Sequence, residues 1–289
     1  MRQEAEKLSG GLPPLLVAAE RVAQTVAQGV HGRRRVGQGE SFWQFRRYQP
    51  GDTTGAIDWR QSGKSQAIFI REREWEAAQS VWLWRDGSAS MDYASGAELC
   101  SKRERAELLL LATGALLVRG GERVTLLGSG QLPATGRAGF NRLAAALLSA
   151  DGQTASLPTP MPLPRAAHMV LIGDFLSELG DIQRAVTGFA AHGIRGQIVQ
   201  VLDPAEESLP FAGRVRFAGF ESEGETLLGR VEAVRDGYRR RLNRHREAIR
   251  ALARQAGWGF ILHHTDQPPQ TALLPLYTAM AGMFQQARR

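Results

Sequence analysis

The stretch VWLWRDGSASMD, Val81 to Asp92, decides the fold. Four apolar residues in succession suit a strand buried on both faces, and Gly87 with its small polar neighbours ends that strand in a loop. On the loop Asp86, Ser88 and Ser90 stand two residues apart, so a curling backbone turns one carboxylate and two hydroxyls toward a common point. Hard oxygens of this kind make half of a divalent-cation site. By itself the string reads better as a strand that ends in a polar turn, because short oxygen-rich strings are frequent.

The chain downstream changes that balance. A helix is expected over Lys102 to Arg119, stopped by Gly120 and Gly121, then a strand over Arg123 to Leu127 and a helix over Phe140 to Leu148. The proline-rich run Pro158 to Pro164 forces an irregular connection. Met169 to Ile172 is a second buried strand and ends at Gly173 and Asp174. A helix over Leu179 to His192 leads to a strand over Gln197 to Leu202, which ends at Asp203 and Pro204. Leu227 to Ala256 is the longest expected helix, Trp258 to His263 the last strand, and Leu274 to Gln285 a closing helix with Pro275 in its first turn. Buried strands alternating with helices predict an α/β fold with a mainly parallel sheet covered on both faces. Ligands gather at the carboxyl ends of such strands, and Asp86 and Asp174 share that edge.

Upstream, apolar residues at three- and four-residue spacing predict an amphipathic helix over Pro13 to Val30. A basic run, His31 to Arg35, follows, and then a β-rich appendage marked by Trp43, Phe45 and Arg47 in one phase and a turn at Pro50, Gly51 and Asp52. Two domains are therefore expected: residues 1–77, helix and appendage, and residues 78–289, the α/β sheet with its C-terminal helix. The string Gly63-Lys64-Ser65 is not a phosphate-binding loop, since the required earlier glycine is Asp58.

Bulk properties exclude several classes. The 289 residues are 43% hydrophobic, with a net charge of +7 and a single cysteine, Cys100, which rules out an internal disulfide and suits a reducing, cytoplasmic compartment. No apolar run is long enough to span a bilayer. Neither a Gly-x-Ser-x-Gly elbow nor a His-Glu-x-x-His helix is present, and His263 and His264 are adjacent on a strand and point to opposite faces, so a non-enzymatic protein is expected. The arginines at 239, 240, 241, 244 and 246 support an alternative, a basic protein that binds nucleic acid or an anionic surface. They fall on several faces of one helix, as a solvated surface does, which disfavours nucleic acid.

Asp86, Ser88 and Ser90 after one strand and Asp174 after another resemble the metal-ion-dependent adhesion site of von Willebrand factor A domains. The resemblance implies that the sheet is doubly wound, and it implies Mg²⁺, or Mn²⁺, held by Asp86, Ser88, Ser90, Asp174 and a threonine on a second loop. Thr154 is the better match for that threonine and Thr135 the alternative, although proline-rich sequence replaces the helix expected after it. Further motifs, Gly37-x-Gly39-x-x-Phe42, Arg47-x-x-Pro50-Gly51-Asp52, Ile57-Asp58-Trp59-Arg60, Asp203-Pro204 and Leu209-Pro210-Phe211, make the chain similar to the bacterial domain-of-unknown-function family fifty-eight over roughly residues 30–265. Thr53 and Gly55 stand where that family carries an acidic and a basic residue. Its members carry a von Willebrand A-like domain and are commonly encoded beside MoxR-type AAA+ ATPases, which implies such an ATPase as partner.

Mg²⁺ prefers six oxygens and keeps several waters, so a site with two carboxylates leaves a position for a carboxylate from a protein partner. Arg47, Asp52, Asp58, Trp59 and Arg60 are then either a docking surface for the partner or a buried charge network clamping the appendage.

Overall fold

Val81, Leu83, Val170, Ile172, Val199 and Val201 alternate along three neighbouring strands with Trp82, Trp84, Met169, Leu171 and Ile198, and each set lies in its own buried cluster. With successive side chains pointing to opposite faces, two apolar sets demand cover on both sides of the sheet. The computed structural model that shows this describes residues 2–31, 42–49, 52–65, 67–73, 78–150, 155–220 and 224–287.

The chain runs through α1 (Arg2–His31), β1 (Phe42–Arg47), α2 (Trp59–Ser62), β2 (Phe69–Arg73), β3 (Ser80–Arg85), α3 (Lys102–Arg119), β4 (Arg123–Leu126) and α4 (Gly136–Ser149). It continues through β5 (His168–Gly173), α5 (Leu179–Ala191), β6 (Arg195–Leu202), α6 (Pro204–Ser208), β7 (Val215–Ala218), β8 (Glu225–Leu228), α7 (Val231–Gln255), β9 (Gly259–His264) and α8 (Gln270–Ala287). It divides into two compact units, residues 1–30 with 79–289, and residues 31–78. The first helix, expected with the appendage, thus groups with the sheet.

In the larger unit five strands pair in the order β4-β3-β5-β6-β9, all in parallel. Residues of α1, α3, α4 and α8 bury one face, and residues of α5 and α7 bury the other. The fold is therefore a mixed α/β fold with a parallel sheet between helices. Chain order reverses between β3 and β5, and crevices at the carboxyl ends of strands form where such a reversal occurs.

Several boundaries differ from those the sequence predicts. The first helix begins at Arg2, and its buried residues Ala19, Val22, Ala23 and Val26 carry the expected spacing. The expected start of the long helix, Leu227, lies instead in β8, which forms an antiparallel hairpin with β7. Four-residue strands with exposed side chains have too little apolar alternation to stand out. Pro275 stands inside α8, which starts at Gln270, rather than in its first turn. In the smaller unit β1 and β2 form an antiparallel pair. No helix among the described residues is long and apolar enough to cross a membrane.

His168 opens the central strand β5 with both ring nitrogens buried and without a hydrogen-bond partner among the described residues, its ring edge-on to Phe284 at 4.8 Å. Burial, and then the nearby Arg195 charge, lower its pKa from 6.5 to about 4. The folded protein then binds fewer protons than the unfolded chain between those values, so stability falls as pH drops from 6.5 toward 4. By that linkage the group costs about 3 kcal/mol at the acid end. His168→Leu is expected to flatten the pH dependence of urea unfolding in this window by close to one proton.

Candidate functional site

Asp86 leaves the end of β3 as its backbone N–H donates to the Ile172 carbonyl at 2.8 Å, so the first residue beyond the strand stays against β5, while Gly87 N donates to the Ala155 carbonyl at 3.0 Å. The approach is close enough to require a glycine opposite: a Cβ on Gly173 would stand 2.7 Å from Asp86 Cβ. Asp86 Oδ1 accepts from Ser88 N at 2.9 Å and from Ser88 Oγ at 2.5 Å, which curls the loop back on itself. Ser90 Oγ donates to Asp174 Oδ2 at 2.7 Å, and Ser88 Oγ lies 3.1 Å from Ser90 Oγ.

A hydroxyl has one proton. Two hydroxyl protons thus serve three contacts, to Asp86, to Asp174 and between the serines, where either hydroxyl can donate. Asp86 Oδ2 is buried and has no hydrogen-bond partner among the described residues. Burial, and then the charge of Asp174, push the Asp86 carboxyl up to about 7.

Asp174 is held from three sides. Its Oδ1 accepts from Leu176 N at 3.1 Å, its carbonyl accepts from Gln200 Nε2 at 2.8 Å, and the next residue, Phe175, takes φ 51° with its carbonyl 2.8 Å from His245 Nε2 on α7. A positive φ at a buried phenylalanine is a strained conformation that only surrounding contacts maintain.

The fourth member of the cluster is a lysine. Lys102, first residue of α3, is 0% exposed, and its Nζ lies 2.9 Å from Asp174 Oδ2 and 2.5 Å from Glu206 Oε1. Burial works against its charge, but Asp174 and Glu206 outweigh burial and raise its pKa. Glu206 also caps α6: its Oε2 accepts from Asp203 N at 2.9 Å, while Asp203 accepts from Ala205 N and from Ser95 N. The carboxyl ends of β3, β5 and β6 are thereby joined through one polar network.

Asp86, Ser88, Ser90 and Asp174 are brought together as the resemblance implies. Thr154 lies outside the described residues, and Thr135 stands at the N-cap of α4 without a side-chain capping bond. The sequence reading missed Lys102 and Glu206. One signal was available, since a cation in the first turn of a helix opposes the helix dipole and needs an anion to hold it.

The donor set fits a divalent cation. Asp86, Ser88, Ser90 and Asp174 offer hard oxygens, the donor type a divalent cation takes. The set is lean, since no three His, Cys, Asp or Glu side chains among the described residues are grouped as a metal site of those ligands alone would need.

In the smaller unit the ion pairing seen among the described residues is partly exposed rather than a buried charge network. Asp52 pairs with Arg46 at 2.8 Å, both partly exposed, and Asp58 caps α2 by accepting from Gln61 N. Arg47 and Arg60 are exposed, and Trp59 is 69% exposed. Gly37, Gly39, Pro50 and Gly51 lie outside the described residues. On α7, Arg239, Arg240, Arg241 and Arg244 are exposed, whereas Arg246 is buried and pairs with Glu207 at 2.7 Å. Of the adjacent histidines, His263 is buried and His264 partly exposed.

The family described as protein of unknown function DUF58 matches residues 44–248. The chain belongs to the DUF58 family. The match includes Asp86, Ser88, Ser90, Lys102, Asp174 and Glu206. An uncharacterised protein of Mycobacterium tuberculosis is 27% identical over 276 residues, 90% of this chain and 86% of the relative, and one of Mycobacterium bovis matches equally. Among solved structures, an aerotolerance-related membrane protein from Bacteroides fragilis is matched at a TM-score of 0.44 and 17% identity, over 71% of this chain and 100% of that one. The conserved hypothetical protein BatB from Bacteroides thetaiotaomicron is matched at 0.40 and 17%, with the same coverage.

Asp86 has a stability consequence that can be measured. A carboxyl whose folded pKa is raised contributes stability below its unfolded value of 3.8 and loses it as pH rises through about 7. In chelator at pH 8, Asp86→Asn is expected to stabilise the protein by about 2 kcal/mol, with the gain shrinking by pH 5. Denaturant titrations at the two pH values check both the sign and the window.

Proposed function

We propose that this DUF58 protein is a non-enzymatic interaction module of von Willebrand factor A type, whose adhesion-like site takes a protein partner's carboxylate with the help of Mg²⁺ or Mn²⁺. The observation that carries this reading is the convergence of Asp86, Ser88, Ser90 and Asp174 through the Ser88–Asp86, Ser90–Asp174 and Ser88–Ser90 contacts, with Asp86 Oδ2 buried and lacking a hydrogen-bond partner among the described residues. Asp86, Ser88, Ser90 and Asp174 would hold the ion, Ser90 and Asp174 being already joined by a hydrogen bond. When bound, the cation supplies an electrophilic position for an outside carboxylate.

The partner is an acidic segment of a protein that works with a MoxR-type AAA+ ATPase in a reducing, cytoplasmic compartment. The family resemblance supports the ATPase, and the lone Cys100 supports the compartment. Arg47, Asp52, Asp58, Trp59 and Arg60 serve as a second contact, supported by the exposure of Trp59, since exposed tryptophan is a common anchor at interfaces. The metal role of Thr154 rests on the resemblance alone.

Calorimetric titration with Mn²⁺ tests the site: wild type binds, and Asp86→Ala or Ser90→Ala weakens binding at least tenfold. Equal affinities in wild type and both folded variants overturn the reading. Pull-down of the genomically neighbouring AAA+ ATPase tests the second contact, with Trp59→Ala expected to lose the partner while its melting temperature stays within about 2 °C, as for an exposed side chain.

A further inference from the structure

The metal reading leaves one buried charge unused. Lys102 is fully buried at the first position of α3, where the helix dipole disfavours a cation, and its ammonium shares Asp174 Oδ2 with the Ser90 hydroxyl. The two bonds to that oxygen, 2.9 and 2.7 Å, keep Lys102 Nζ within about 6 Å of Ser90 Oγ. Any cation that ligates Ser90 therefore enters the field of a positive charge already in place.

We propose that Lys102 is the built-in counter-cation of the cluster and sets its affinity for divalent metal, neutralising Asp174 in the metal-free protein and opposing the ion that replaces it. The inference rests on the metal reading of the same site. Lys102 has an alternative partner in Glu206, whose other oxygen stays bonded to Asp203 N at the start of α6. A metal-bound state can therefore keep the ammonium paired with Glu206 while Asp174 is shared with the ion. The site is conditional: filled when cation is plentiful, and closed by its own lysine otherwise.

Lys102→Met keeps the length of the side chain and removes its charge, whereas Glu206→Gln removes the alternative partner and one negative charge. Mn²⁺ titrations of wild type, Lys102→Met and Glu206→Gln by calorimetry, with Mn²⁺ electron paramagnetic resonance as the second readout, separate the possibilities. Lys102→Met is expected to bind at least tenfold tighter than wild type and Glu206→Gln several-fold weaker, shifts of opposite sign that a purely structural lysine does not produce. Equal affinity in wild type and Lys102→Met overturns the proposal and leaves the metal reading standing. Binding by Lys102→Met alone supports the lysine as the excluding charge and overturns metal binding by the wild type. No binding by either overturns both. If Lys102→Met does not fold, the Glu206→Gln arm decides, and unchanged or tighter binding there overturns the proposal.

Discussion

Three carboxylates gathered at the carboxyl edge of a parallel sheet need positive charge, and the molecule supplies it from within. Lys102 reaches from the start of α3 to Asp174 at the end of β5 and to Glu206 on α6. Removing one partner from such a buried set costs about 3–5 kcal/mol, because an uncompensated charge is left behind. The contact thus helps to order three loops. Ser90 joins it through Asp174 Oδ2, Ser95 N joins through Asp203, and Gln200 fixes the Asp174 backbone from β6.

That compensation is incomplete at Asp86. Its Oδ2 lacks a hydrogen-bond partner among the described residues, and burial with the charge of Asp174 pushes its carboxyl up to about 7. A neutral, apolar residue would fit a purely structural role better. Gly173, whose missing Cβ lets Asp86 approach, and Phe175, held at φ 51°, are further local costs confined to the same loops. Strain, an unsatisfied acceptor and a shifted carboxyl in one place mark these loops as a candidate binding site.

The alternation of buried strands and helices after residue 80 is readable in the sequence because both faces of each central strand are covered, which writes continuous apolar runs. Asp86, Ser88, Ser90 and Asp174 follow, since residues just past such strands must share an edge. The β7–β8 hairpin is not readable, its strands being four residues long and largely exposed. For Lys102 the only signal is its unfavourable place at the start of a helix, and its partners lie 72 and 104 residues away, so nothing in the sequence says which anions hold it.

The string from Arg47 to Arg60 shows the limit of charge matching without a fold. A reading of opposite charges pairs Asp52 and Asp58 with any of Arg46, Arg47 and Arg60 in a buried clamp. Local backbone needs decide otherwise. Asp52 accepts from Gln49 N and from Arg46 within one turn, and Asp58 spends Oδ1 on the first turn of α2. Short aspartates satisfy nearby amides before they reach across a domain, because the amides are close and otherwise orphaned. What these bonds leave over is Trp59, presented on a capped turn with its ring in solvent. A rigid mount for one exposed aromatic side chain suits contact with another surface more than it suits a clamp within this one.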